Sequence, residues 1–558
     1  MAEPAGPEPR QTPPSAADTG IRRGLMDRFI RWTERVGNLL PHPFTVFVIL
    51  IGVVVACSVF LAKLGISVSY VTIDPETGEE VSNLVRVLSL AQRSVIQETM
   101  QDFVNIYATF TPVGFVIVMI LGVSVAEQTG FFSALIRTLV QRTPPYMVTF
   151  VIALVGICAN VASDAGIIIA PTLGGAIFLA LRRHPVAGVC AGYVAAYGAF
   201  SANIFPAGTD VVLAGITQSA VSHFAVDAAV HPLMDWYCMM GSTVVLSAVV
   251  TLITEKVIVP YLGEYRPGDG SVGGTSAAAA TSGSAAGAGS GQGDVLAEFH
   301  LDAHEKRGLA WAGGATLAFL VVLLFLTVPE DALLRNAEGR LLPRSPLIRG
   351  IIAILFVYFV LVGVVYGLAA KQLTTEKDVP RMMQRGLAGV GSFLVVCLPA
   401  SLFIHLFQES NLTAVIAVEG AELIQGFEIG MVPTILMFAL FCAAMNVFIT
   451  SGFTKWLILA PIFIPLFYQL DVSPATTQMA YRIGDSTTNI ISPVSAYLPF
   501  LLGLLEKYRE EGQEVGIGSA MSLMIPYSLT LSVVWIAYLA LWLLLGLDPG
   551  PGVTLFLN

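Results

Sequence analysis

Charge is the scarcest commodity in this chain. Only 12% of its 558 residues are Asp, Glu, Lys or Arg, while 55% are apolar, and a soluble domain carries about 25% charged residues. The six cysteines (Cys57, Cys158, Cys190, Cys238, Cys397, Cys442) lie in apolar segments with no CxxC or Cys/His spacing, which excludes a disulfide framework or a zinc site by pattern. No Gly-rich lysine loop for phosphate is present, so ATP drive has no support. His304-Glu305 lacks the second His of a zinc protease, and Ile483-Gly484-Asp485 has Arg482 where an intramembrane aspartyl protease motif requires Gly. An enzyme is therefore not expected. The net charge of −10 and the lack of a basic patch argue against nucleic acid. The first 20 residues lack the apolar core of a cleavable signal.

What is present is a series of nearly charge-free apolar blocks of about 20 residues, the length that crosses a hydrocarbon core as a helix. They fall at 43–64, 112–141, 186–216, 231–258, 308–328, 350–371, 388–408, 475–504 and 519–547. Two further apolar regions, 144–181 and 430–470, are interrupted midway by Asn160-Val-Ala-Ser-Asp-Ala-Gly166 and Asn446-Val-Phe-Ile-Thr-Ser-Gly452. Each is expected to be a re-entrant hairpin, because non-helical backbone at membrane depth persists only where protein or a watery cavity satisfies it. The expected fold is all-α and polytopic, with nine transmembrane helices and two re-entrant hairpins arranged as inverted repeats in a lipid bilayer. Residues 88–107 alternate at helical spacing and are expected along the interface, and 409–429, with four Glu and no Lys or Arg, as an outer loop.

Basic residues beside spans mark the cytoplasmic side. Arg22, Arg23, Arg28, Arg31 and Arg35 place the N-terminus inside an inner (plasma) membrane. The loop 329–349 breaks the pattern: Arg335, Arg340, Arg344 and Arg349 fall on the outer side. The expected organisation is a disordered cytoplasmic tail (1–23), a first half of four spans (24–262), a Gly/Ala/Ser-rich cytoplasmic linker (263–306), a second half of five spans (307–548) and a C-terminal tail (549–558).

The halves repeat one another. Asn160 and Asn203 are 43 residues apart, as are Asn446 and Asn489. Ala170-Pro171 matches Ala460-Pro461, Pro185 matches Pro474, and Pro206 and Pro493 each follow the second Asn. Paired broken segments at matching places in two halves point to the binding site of a secondary transporter.

Broken helices expose carbonyls at one end and N–H groups at the other. With side-chain oxygens, the carbonyls make a hard-oxygen cage suited to Na⁺. The first candidate cage is Asn160, Ser163, Asp164 and Asn203, and the second is Asn446, Thr450, Ser451, Thr488 and Asn489. The same atoms can serve purely as helix caps. Charges within spans are functional suspects: Asp210 follows one break, and Arg482 and Asp485 precede another, three residues apart on one helical face. They form either an internal ion pair or a site in which Arg482 grips a carboxylate or sulfonyl oxygen in fork geometry and Asp485 or Asp210 takes up a proton or cation. Trp456, next to Lys455, could stack on an aromatic substrate.

Phe29 to Pro43 (FIRWTERVGNLLPHP), Ser163-Asp-Ala-Gly166, Phe200-Ser-Ala-Asn203 and Tyr481-Arg-Ile-Gly-Asp-Ser-Thr-Thr-Asn489 resemble the p-aminobenzoyl-glutamate transporter (AbgT) family over nearly all of residues 24 to 548. The resemblance implies a homodimer with nine spans and two hairpins per subunit. It implies transport of p-aminobenzoyl-glutamate or export of sulfonamide antimetabolites, driven by Na⁺ or protons, with direction open. It assigns functional roles to Asp210, Asn446, Trp456, Pro474, Arg482, Asp485 and Pro493, beside which Ser486 is a further substrate-site candidate. Phe453 stands where some members have Ser. A sodium-coupled dicarboxylate symporter with the same inverted hairpins is the alternative, against which Trp456 and the 481–489 stretch speak.

Overall fold

A computed structural model describes residues 41–73, 80–141, 143–162, 164–222, 228–265, 301–342, 345–510 and 515–557. The arginines at 22–35, nearly all of the expected linker and Ser163 lie outside these residues, as do the side chains of Asp164 and of 70–83. The described chain is mainly helical, with one two-stranded antiparallel hairpin, β1 (Ser67–Ile73) and β2 (Glu80–Arg86), pairing Ser67 with Arg86.

The first half comprises α1 (Pro43–Leu64), α2 (Arg93–Ala108), α3 (Thr111–Gln128), α4 (Phe131–Gln141), α5 (Val148–Cys158), α6 (Asp164–Ala180), α7 (Pro185–Tyr193, continuing as a π turn to Gly198), α8 (Gly208–Val221) and α9 (Trp236–Ile253). The second comprises α10 (Ala303–Thr327), α11 (Ile351–Ala369), α12 (Asp378–Glu409), α13 (Leu412–Gly426), α14 (Met431–Asn446), α15 (Gly452–Tyr468), α16 (Pro474–Thr487), α17 (Leu498–Lys507) and α18 (Ile517–Leu544). Seven helical stretches among the described residues are long and apolar enough to cross a membrane, or eight if α13 and α14, bent by 117°, count as one.

Two sequence expectations need correction. The span at 112–141 is two helices, because Gly130 adopts φ +83° and ends the helical path after Gln128. The outer loop at 409–429 is largely the helix α13. Its Leu412, Val415, Ala417 and Ala421 are buried, and Glu419 and Glu422 are exposed together with Ile416 and Leu423. The discordant arginines of 329–349 have a partial local explanation: Arg335 donates to the carbonyls of Thr327 (2.8 Å) and Val328 (2.8 Å) and so caps the C-terminal end of α10. Helix α2 has no buried residue and exposes Ile96, Met100, Phe103 and Val104.

The matched segments take similar helix-break-helix forms. In each half a helix, a short break and a second helix (α5 and α6; α14 and α15) precede a span that is itself broken (α7 and α8; α16 and α17). Small residues let these elements approach closely. A Cβ on Gly188 would lie 2.1 Å from the carbonyl oxygen of Gly174, and one on Gly484 would lie 2.2 Å from that of Ala439.

The C-terminal residues form a strap across the starts of α9 and α16. Pro549 O accepts from the Tyr237 and Cys238 N–H groups, Leu555 O from Ser473 N and Thr476 Oγ1, and Leu557 N donates to Asp471 O. His231 joins the strap as a neutral imidazole: Nδ1 accepts from Leu233 N (3.2 Å), so Nε2 donates to Pro551 O (3.1 Å). Burial pushes the His231 pKa down to about 4. The unfolded chain therefore binds this proton at a higher pH than the folded one, so the stabilisation is complete above about 6.5 and is lost as pH falls towards 4. Its size is on the order of 3 kcal/mol. The melting temperature in detergent should fall over that window, and less steeply in His231→Gln. An identical slope in the variant would refute this role.

Candidate functional site

The two helix breaks lie against each other. The first, between the π turn of α7 and the start of α8, carries Ser201 and Asn203; the second follows α16. Ser201 N donates to Ser486 Oγ (3.2 Å), and Asn489 Nδ2 donates to Tyr197 O (3.2 Å). The π turn ends in loosened backbone, a feature frequent at functional sites. Each break is also tied to its own half's hairpin. Asn160 Nδ2 donates to Phe200 O (2.9 Å), and Asn446 Nδ2 donates to Asn489 Oδ1 (2.9 Å), Thr488 Oγ1 (3.0 Å) and the Asp485 carbonyl. Asn160 and Asn446 thus hold each break against the preceding helix pair, while Asn203 instead bonds Asp210.

Arg482 sits where the breaks meet and is 1% exposed. Its Nη2 contacts Asp210 Oδ1 (2.6 Å) and donates to Ser201 O (2.6 Å), and its Nη1 donates to Asp235 Oδ1 (2.8 Å). Its Nε has no partner among the described residues. Asp210 caps α8 by accepting from Ala207 N (2.6 Å) and also accepts from Asn203 Nδ2 (3.0 Å). A polar chain continues outward from Asp235. Gln478 Nε2 donates to Asp235 Oδ2 (3.0 Å), Thr217 Oγ1 to Gln478 Oε1 (2.6 Å), and Trp456 Nε1 to Thr217 Oγ1 (2.9 Å). The Trp456 ring stacks on Tyr481 at 4.4 Å, and the Tyr481 hydroxyl donates to the Gly452 carbonyl.

A second ion pair lies one turn further along α16. Lys455 meets Asp485 and donates to Asn446 Oδ1, at 1% exposure. The internal Arg482–Asp485 pair suggested by their spacing is therefore not formed. Each bonds outward to a different element, because side chains three apart on a buried helix reach neighbouring helices as readily as each other. The fork geometry foreseen for Arg482 is already filled by aspartates, and Trp456 is closed off by Tyr481. Both groups are thus already engaged by partners within the protein.

The remaining candidates occupy supporting places. Ser486 Oγ donates to Arg482 O (2.9 Å). Pro474 opens α16 beside the Ser473 cap, about 12 Å along the helix from Arg482. Pro493 lies half-buried in the second break. Ser451 caps α15 through Thr454 N (3.4 Å), and Thr488 Oγ1 donates to Ala443 O (2.9 Å). Thr450 lies in the link between α14 and α15. Of the two oxygen sets, the second has the Lys455 ammonium on Asn446, whereas in the first Asn160 Oδ1 is buried with no partner among the described residues.

Sequence reasoning missed Asp235, Gln478 and Thr217, and it noted Lys455 without placing it in the site. Asp235 sits four residues after His231, inside the apolar block expected at 231–258. The rule that intramembrane charge signals function already applied to it within that block, although the helix itself begins one residue later, at Trp236.

Comparison with known proteins bears on this geometry. The sequence model of the AbgT putative transporter family matches residues 28–557. The p-aminobenzoyl-glutamate transport protein of Escherichia coli (strain K12) is 31% identical over 540 residues, covering 97% of this chain and 98% of that protein. Among solved structures, the YdaH transporter of Alcanivorax borkumensis, described as having an unusual topology, matches with a TM-score of 0.79 at 31% identity over 92% of this chain and 100% of that one. MtrF of Neisseria gonorrhoeae, described as illuminating a class of antimetabolite efflux pumps, matches with a TM-score of 0.85 at 34% identity over 94% and 100%.

Proposed function

This chain belongs to the AbgT putative transporter family, and on that premise we propose that it moves p-aminobenzoyl-glutamate-like anions, and sulfonamides that share their aminophenyl end, across an inner membrane by ion-coupled alternating access. The observation that carries the reading is Arg482, a buried cation held between two carboxylates where breaks from both halves meet. Such a group must exchange partners when an anionic substrate enters, which is the requirement of a binding site that opens in turn to each side.

The architecture supports the same reading. Seven long apolar stretches and two broken spans (α7 with α8, α16 with α17) make nine crossings, leaving α5 with α6 and α14 with α15 as re-entrant hairpins in two inverted halves. The boundaries at 24–262 and 307–548, the cytoplasmic N-terminus and the homodimer belong to this proposal. The substrate's carboxylates suit Arg482, and its ring suits Trp456 once Tyr481 moves aside. If the coupling ion is Na⁺, the first oxygen set, with Asn160 Oδ1 unclaimed, is favoured over the second, where Lys455 already supplies a positive charge.

The test is flux in proteoliposomes. Labelled p-aminobenzoyl-glutamate and a labelled sulfonamide should each move saturably, with accumulation driven by an imposed Na⁺ or pH gradient. The gradient that works identifies the ion, and its orientation gives the direction. Non-saturating flux indifferent to both gradients would rule the proposal out.

A further inference from the structure

Among the described residues, the buried charged side chains other than histidine are Asp210, Asp235, Lys455, Arg482 and Asp485. All five lie in the two adjoining groups at the junction of the breaks. Three carboxylates face two cations, so one negative charge has no counterpart. A buried charge is tolerated only when paired and hydrogen-bonded. The excess does not lie with Asp485, which has Lys455 to itself. It lies with Asp210 and Asp235, which share the single guanidinium of Arg482.

The two sharers are not equivalent. Asp210 is fixed within its own half: it caps α8 through Ala207 N and is held by Asn203. Asp235 comes from outside both breaks, at the start of α9, with φ −121° and ψ 12°. Beside Arg482, its side chain is held by Gln478, which Thr217 orients in turn. The other titratable or charged groups that sense the pair are His231 on the preceding loop and Cys238 on the first turn of α9, with the Lys455–Asp485 pair beyond.

We propose that Asp235 is a positioning residue that holds Arg482 in place between the two aspartates, and that one positive charge, a proton or a monovalent cation, neutralises the Asp210–Asp235 pair and releases Arg482 for the substrate anion. This rests on the ion-coupled reading above and adds to it the residue through which coupling acts. Neutralising Asp235 weakens its hold on Nη1, and Nε already lacks a partner among the described residues. Ion and anion thus bind together because each removes a cost that the other would otherwise face. No bond is formed or broken beyond the transfer of that proton, or the binding of that cation, at a carboxylate oxygen.

Asp235→Asn in proteoliposomes tests this. The variant carries a permanently neutral group that still accepts from Nη1, so coupling should be lost while binding persists. Exchange of labelled for unlabelled p-aminobenzoyl-glutamate without an ion gradient should change by less than about tenfold, while gradient-driven accumulation falls by more than about tenfold. The dependence of apparent affinity on the driving ion should flatten. In the wild type, drive by a pH gradient alone identifies a proton, and drive by a Na⁺ gradient alone a cation. If neither drives the wild type, the ion-coupled reading fails and this inference with it. If the wild type is driven and Asp235→Asn is driven equally, only this inference fails. Parallel loss of exchange and accumulation in a folded variant would also overturn it, since that is the mark of a merely structural residue. Should Asp235→Asn not fold, Asp235→Glu carries the test. It keeps the carboxylate and should stay gradient-driven, and uncoupled flux in it would contradict the proposal.

Discussion

Arg482→Ala is expected to abolish transport and to destabilise the protein. The substitution leaves Asp210 and Asp235, both almost fully buried, without their shared cation. Removing one partner of a buried ion pair costs about 3–5 kcal/mol, and here two carboxylates are stranded. Loss of flux alone could therefore reflect loss of folded protein, so the informative companion is Arg482→Lys. A lysine keeps the charge but has no planar fork, and one ammonium cannot reproduce the separate contacts of Nη1 to Asp235 and Nη2 to Asp210 and Ser201 O. The lysine variant should fold, with a melting temperature nearer wild type than that of the alanine variant, yet carry substrate at least about 100-fold more slowly, as expected for loss of a charge-assisted bidentate contact. Wild-type kinetics in folded Arg482→Lys would remove Arg482 from the mechanism.

The second large effect concerns Lys455. Its ammonium lies on Asp485 and on Asn446 Oδ1, within the oxygen set that the sequence suggested for a sodium ion. Lys455→Met should strand Asp485, and Asp485→Asn should strand Lys455, each at a cost of about 3–5 kcal/mol. Combined, they leave no uncompensated charge, and the double variant should recover most of the lost stability. The measurement is a double-mutant cycle of melting temperatures in detergent. A strongly favourable coupling between the two sites is expected. Additive effects would show that the pair contributes nothing as a pair and would reopen the second oxygen set to an external cation.

These two cases also show what the sequence can and cannot reveal. Breaks in helices leave local marks, so Asn160, Asn203, Asn446 and Asn489 were legible as a repeated pattern, and in the structure Asn160 and Asn446 each bond the break of their own segment. The partners of Arg482 were not legible. They lie 272 and 247 residues away, at Asp210 and Asp235, and are brought together only when the two halves pack. Local spacing even misled: Arg482 and Asp485 share a helical face, but each finds a better partner on another element. The acidic stretch at 409–429 was misread for a related reason. Composition reports how polar a segment is, whereas burial of Leu412, Val415, Ala417 and Ala421 along one side of α13 reports how that polarity is arranged. Arg335, whose charge ran against the expected sidedness, caps the end of α10 with its guanidinium, a local role that composition does not reveal.

The central claim is that the substrate's carboxylate binds at Arg482 after its aspartate partners let go. Equilibrium binding of labelled p-aminobenzoyl-glutamate to purified wild-type protein and to folded Arg482→Lys tests it without recourse to flux, gradient or direction. Binding should be saturable in the wild type and weaker by about 100-fold or more in the variant, a difference of about 2.7 kcal/mol. Equal affinity in the two proteins would place the substrate elsewhere and contradict the account.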